Sequence, residues 1–255
     1  MPAELAVLVR NEGYGDAKDV RIESVQPEVV ENEKGLMIDF RLSDYTLDAA
    51  ALNGATAGLG LNDVRLGTIA ARTSGVAQWR LTSTPQGHFS GMRASVTHLN
   101  SQGIVDTSLI RDVAVHPLIR SVDVGDALPA FLTADGSRYG NPDRLYRADG
   151  EVLDVRNDAT ASTADSVRGA QCEIAIAASL PGSGPFYAKV ALPGAEEYEV
   201  IGLTRAGGGE LPARNAWITD RTFVDGADPK VETFLHVFDV ASTSGAKSYT
   251  VALRA

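Results

Sequence analysis

The sequence predicts an all-β protein, with two immunoglobulin-like or fibronectin-like β-sandwich domains in tandem. Three observations carry that prediction. Apolar and polar residues alternate with period 2 in short runs along most of the 255-residue chain. Clusters of Gly, Pro, Asn and Asp interrupt those runs roughly every ten residues, the rhythm of a sandwich. No long apolar pattern of period 3.6 and no βαβ rhythm is present, which argues against nucleotide-binding α/β folds.

The composition agrees. Hydrophobic residues make up 44%, enough for packed cores, whereas aromatics are sparse at 6%. The formal net charge of −10, with 23 scattered Lys and Arg, argues against nucleic-acid partners, whose phosphates want clustered cations. Anionic membrane surfaces are disfavoured for the same reason. No apolar run approaches the ~20 residues of a membrane span, so no membrane insertion is expected. The single cysteine, Cys172, excludes an intramolecular disulfide, and its alternating surroundings predict a buried structural thiol.

Taken in order, residues 5–25 hold Leu5, Val7 and Val9, a polar break at residues 11–16, then Val20 and Ile22. That pattern predicts two half-buried strands joined as a hairpin. Leu36, Ile38, Phe40 and Leu42 mark the next strand. Residues 45–60 read either as a short helical turn capped by Gly54 or as a connection between sheets. Strands follow over 64–69, 76–82, 91–99, 108–116 and 119–124, with Trp79 as the core plug of its strand. This is the strand count of one sandwich, so the first domain is placed at 1–125.

The second domain is placed at 126–255. Its opening segment, 126–165, is dominated by Gly, Pro, Asn and Asp and reads as a loop or linker. Within it, Asp149-Gly150 predicts a hairpin turn between Leu145-Tyr146 and Val152-Leu153. Strands are expected over 172–177, 186–192, 197–203, 216–221, 233–238 and 249–253, with Gly207-Gly208-Gly209 as a turn.

Residues 9–22, Val-Arg-Asn-Glu-Gly-Tyr-Gly-Asp-Ala-Lys-Asp-Val-Arg-Ile, are similar to the Asn-x-Gly-x-Gly-x-Ala-x-x-Val signature of bacterial CARDB/APHP-type immunoglobulin-like modules. Glycines would free the backbone for a tight turn, Ala17 and Val20 would turn into the core, and Asn11 would tie the turn through its amide. The C-terminal half resembles fibronectin type III-like sandwiches in strand count. The first resemblance implies no enzyme activity and no catalytic residues. Because such modules recur in large secreted and cell-surface proteins, it implies an extracellular or cell-surface location, with neighbouring domains of a longer chain as partners.

The residues themselves offer little chemistry. His88, His98, His116 and His236 are isolated, without zinc-ligand spacing. Gly87-His88-Phe89-Ser90-Gly91 misses the spacing of a nucleophile elbow. No catalytic residue and no cofactor site are therefore expected. The best candidate is the acidic segment carrying Asp135, Asn141, Asp143 and Asp149, with Asp154 and Asp158 beyond it. Calcium takes six to eight oxygen ligands of these kinds, and an ion at a domain junction would rigidify it. The spacing lacks the acidic positions of an EF-hand loop, and a solvated polar loop is the alternative. Tyr14, Tyr45, Tyr139, Tyr146, Tyr198 and Trp217 are candidates for a sugar-stacking platform, Trp217 and Tyr139 being the least obviously buried.

The expected function is a non-catalytic structural, adhesive or spacer module from a larger bacterial secreted or cell-surface protein, and strand-like text at both ends suggests a piece of a longer chain. Alternatives are a carbohydrate-binding accessory module, with a glycan or protein ligand, and an enzyme with its site at the junction around residues 135–158.

Overall fold

The computed structural model describes residues 3–29, 38–47, 50–53, 64–83, 89–99, 102–106, 110–136, 141–158, 162–168, 171–180, 182–192, 198–207, 209–225 and 228–254. Among them the fold is all-β: strands joined by turns, with one 3₁₀ turn at Ala213–Asn215.

The first eight strands are β1 (Ala3–Arg10), β2 (Ala17–Val29), β3 (Ile38–Leu47), β4 (Ala50–Asn53), β5 (Val64–Ile69), β6 (Ser74–Ser83), β7 (Phe89–Leu99) and β8 (Val105–Asp106). They form two antiparallel sheets, ordered β1-β6-β3-β4 and β5-β2-β7-β8. The opening pair is not a hairpin. β1 pairs with β6, whereas β2 pairs with β5 and β7, so residues 11–16 arch from one sheet to the other. Alternation marks two strands but is silent on whether they share a sheet. Ala50–Asn53 is a strand on β3, not a helical turn, and Gly54 lies outside the described residues. Val20, Ile22, Val64, Leu66, Ile69, Ala77 and Trp79 fill the core between the sheets, with Leu5, Val7 and Val9 packed against them. Trp79 is the expected plug.

Four strands follow: β9 (Leu118–Val122), β10 (Ala130–Thr133), β11 (Arg144–Tyr146) and β12 (Val152–Asp154). They make an antiparallel sheet ordered β12-β11-β10-β9. The segment expected as a loop or linker thus contributes three short strands, β10, β11 and β12, to this sheet, and β9 pairs with β10 across Gly125. Strands this short are below the length at which periodicity is visible. The Asp149-Gly150 hairpin forms as expected: Gly150 N–H donates to Arg147 O at 3.0 Å, and Gly150 has φ +90°. The expected strand over 108–116 is not seen in its described part, 110–116, where Ile110, Val113 and Val115 are exposed.

The remaining strands are β13 (Arg156–Asp158), β14 (Ser162–Arg168), β15 (Gln171–Leu180), β16 (Gly184–Leu192), β17 (Glu199–Arg205), β18 (Gly209–Leu211), β19 (Ala216–Asp225), β20 (Asp228–Ala241) and β21 (Gly245–Arg254). They build sheets ordered β13-β16-β20-β19 and β14-β15-β21-β17-β18. β13 joins β16 in parallel. β13 and β14 stand in text that reads as polar loop, because an edge strand need not bury a face. Phe186, Val190, Leu203, Leu235, Val237, Tyr249, Val251 and Leu253 are among the residues that fill the core between these sheets.

The four-stranded sheet β9–β12 packs on both faces along β9, β10 and β11, while β12 at its edge is largely exposed. Ala130, Leu132, Leu145 and Val122 face Tyr187, Trp217 and Phe238 of the sheet β13-β16-β20-β19. Phe131, Leu118 and Tyr146 face the opposite way, onto Ala6, Leu8 and Val76 of β1 and β6. All four residues of β10 are buried in consequence. Five sheets follow one another in register of contact, each sharing an apolar layer with the next. The alternation within β1 shows how one strand serves two layers: Leu5, Val7 and Val9 point into the sandwich, Ala6 and Leu8 out to the middle sheet.

Candidate functional site

The junction around β9–β12 holds the densest polar chemistry. Asp135 follows β10, and its Oδ2 accepts a hydrogen bond from the Tyr146 hydroxyl at 2.5 Å and stands 3.0 Å from His116 Nδ1. The His116 and Tyr146 rings lie 4.3 Å apart between centroids. Burial alone would push the Asp135 carboxyl up, but the Tyr146 hydroxyl and the His116 imidazole outweigh it and hold the group below the usual carboxylate range. Burial, then the hydrogen bond to the carboxylate, push the Tyr146 phenol up to about 12. The arrangement fixes the imidazole with Nδ1 toward a carboxylate, the orientation that a base or ligand requires. No serine or cysteine is bonded to its other nitrogen among the described residues.

The structure separates the residues considered for calcium. Asp143 accepts backbone N–H bonds from Asp135 at 2.9 Å and from Gly136 at 2.6 Å, closing the β10–β11 connection. Asp149 accepts from Glu151 N–H at 2.9 Å and belongs with Asp126 and Glu151 around Arg147. Arg147 grips Asp126 with two bonds of 2.9 Å. Asp154 pairs with Arg144, Asn141 is exposed, and the side chain of Asp158 lies outside the described residues. Asp135 and Asp143 alone are brought together, and donors already occupy their oxygens. Among the described residues no group of three or more His, Cys, Asp or Glu is placed to hold a metal ion.

No protein-family model, no curated protein and no solved structure matches this chain.

A second polar cluster was not visible in the sequence. His236 on β20 is 6% exposed, and both ring nitrogens are engaged: Nδ1 with the Tyr187 hydroxyl at 2.6 Å and Nε2 with Thr219 Oγ1 at 2.7 Å. The Trp217 ring stacks on it at 5.0 Å with an interplanar angle of 3°. Burial, reinforced by the nearby charges of Lys189 and Arg120, lowers the His236 pKa to about 3, so the ring is neutral. Trp217, considered as an exposed platform, is 3% exposed and belongs to the core between the middle sheet and its neighbour. The available signal was the out-of-phase apolar run Phe234-Leu235-His236-Val237-Phe238, which marks a strand covered on both faces. Tyr139 lies outside the described residues, Tyr198 is partly buried against the core, and Tyr14 is 94% exposed.

Polar contacts also stitch the layers. Glu4 on β1 pairs with Arg120 on β9 at 2.8 Å and accepts Ser121 N–H at 2.8 Å. Ser74 on β6 donates to Ala148 O at 2.5 Å. The Arg120 guanidinium in turn lies 5.8 Å from the centroid of the Trp217 ring. Asn215 and Asp123 exchange two hydrogen bonds, of 2.8 and 2.7 Å. These are holding contacts rather than reacting groups.

Proposed function

We propose that this chain is a non-catalytic structural module: a rigid spacer or adhesive segment of a larger bacterial secreted or cell-surface protein, flanked there by neighbouring domains. One observation carries the reading. The sheet between the two sandwiches is packed on both faces along β9, β10 and β11, by apolar layers that run from β1 and β6 on one side to β16, β19 and β20 on the other. A linker exposed to water would leave the sandwiches free to swivel, whereas a buried middle layer resists bending and twisting. The likeness of residues 9–22 to CARDB/APHP-type modules points the same way, as does the likeness of the C-terminal half to fibronectin type III-like sandwiches.

The alternative of an enzyme at the junction is favoured less. His116 has its carboxylate partner, yet the polar groups around it bond to one another and to the backbone. Small-angle X-ray scattering of the whole chain tests the spacer reading. A single rigid envelope, with a radius of gyration unchanged between low and high salt, is expected. A scattering profile that requires two bodies in variable relative orientation would refute it.

A further inference from the structure

The arch between β1 and β2 ends on Tyr14, at 94% exposure the most exposed large apolar side chain among the described residues. The guanidinium carbon of Arg72, in the β5–β6 turn, lies 4.6 Å from the centroid of its ring. Arg72 sits at φ +64°, a left-handed conformation that residues other than Gly, Asn and Asp adopt uncommonly. Five contacts lock the two loops together. Asn11 N–H donates to Thr73 O and Arg72 N–H to Asn11 O, both at 2.9 Å. Asn11 Nδ2 reaches Ile69 O at 3.0 Å and Ala70 O at 3.1 Å, and Asp16 Oδ1 accepts Ala71 N–H at 3.3 Å.

An unneutralised cation stands at the same spot. Arg21, Arg111, Arg120, Arg144, Arg147, Arg205 and Arg254 each pair with a carboxylate. Arg72, like Arg10, Arg156 and Arg214, has no carboxylate partner among the described residues, and it alone of these stands over an exposed aromatic ring, on a chain of net charge −10. A held aromatic ring with one open face, beside a cation with unused N–H donors, suits a ligand that has both a C–H face and an anionic group.

We propose that Tyr14 and Arg72 bind an acidic glycan. The open face of the Tyr14 ring stacks on the C–H face of a uronic-acid pyranose, and the Arg72 fork pairs with its carboxylate. The site is one ring and one cation on two narrow turns, far below the roughly 800 Å² per partner of a stable protein interface, and that favours a sugar over a protein ligand. The proposal is independent of the spacer reading, because a rigid module with or without this site scatters alike.

Isothermal titration of the whole chain at low salt, with hexagalacturonate, neutral cellohexaose and hexaglutamate as probes, decides it. Saturable binding of hexagalacturonate is expected, with cellohexaose and hexaglutamate each at least about tenfold weaker. Tyr14→Ala and Arg72→Gly should each weaken the uronate by about tenfold, and Tyr14→Phe should leave it within about threefold. Arg72→Gly relieves the left-handed backbone, so its melting temperature should be no lower than that of the parent chain. That separates lost binding from lost folding. The proposal is overturned if hexagalacturonate shows no saturable binding, if Tyr14→Ala binds it unchanged, or if hexaglutamate binds as tightly with the same dependence on Tyr14.

Discussion

Glu4 Oε1 and Arg120 Nη1 meet at 2.8 Å where the N-terminal sandwich touches the middle sheet, each side chain about one-fifth exposed. Glu4 also accepts the backbone N–H of Ser121, so its carboxylate is committed to β9 by two bonds. Breaking a partly buried pair from one side leaves the other charge uncompensated, which costs about 1–3 kcal/mol. Glu4→Ala and Arg120→Ala should each fall in that range in urea unfolding. A double-mutant cycle should return a coupling of at least about 0.5 kcal/mol.

Asn11 behaves as the sequence predicts. Its Nδ2 donates to Gly15 O at 2.8 Å, besides the two carbonyls of the β5–β6 turn, and its Oδ1 accepts Gly13 N–H at 2.9 Å. Asn11→Asp replaces a donor with a carboxylate facing those carbonyls. It should therefore destabilise more than Asn11→Ala, whose expected loss is about 1–3 kcal/mol. Equal melting temperatures for the two variants would contradict this.

His236 predicts an acid-labile interior. Its pKa falls from 6.5 to about 3 on folding, so between those values the unfolded chain binds a proton that the folded chain refuses. Stability is therefore unaffected by this residue above about pH 6.5 and declines as the pH falls toward 3. The full shift corresponds to an upper bound of roughly 4–5 kcal/mol. Urea midpoints measured from pH 7 to pH 4 should drop steeply for the parent chain. They should drop less for His236→Gln, which starts lower because Tyr187 and Thr219 lose a partner.

Two glycines that look alike in sequence should respond differently. A Cβ on Gly150 would overlap the Arg10 guanidinium, and its φ is +90°. Gly150→Ala should cost about 1–2 kcal/mol from the backbone alone. Gly15 has open space where a Cβ would stand. Thermal melts should show Gly15→Ala within about 0.5 kcal/mol of the parent chain.

The legible part of this fold was what periodicity encodes. Trp79 in its strand, Val20 and Ile22 turning inward and the Asp149-Gly150 hairpin all stand as the residue pattern implies. Partnership was not legible. The alternation of Leu5, Val7 and Val9 is equally consistent with a hairpin and with the arch that forms, because both bury the same face. In the middle sheet β9 and the β11–β12 hairpin were legible, and only β10 was hidden, for a different reason: Ala130, Phe131, Leu132 and Thr133 are buried in succession, with no alternation, since both faces are covered. The same double coverage conceals the His236 cluster. Tyr14 and Arg72 are 58 residues apart, and only the fold brings them together.

Hydrogen–deuterium exchange over residues 118–155 tests the central claim most directly. If the middle sheet is core that joins the two sandwiches, the amides of Phe131 and Leu132 should exchange only through global opening, within about tenfold of those in β6 and β20. Exchange of these amides orders of magnitude faster, with the two sandwiches still protected, would show the segment to be a linker and contradict the account.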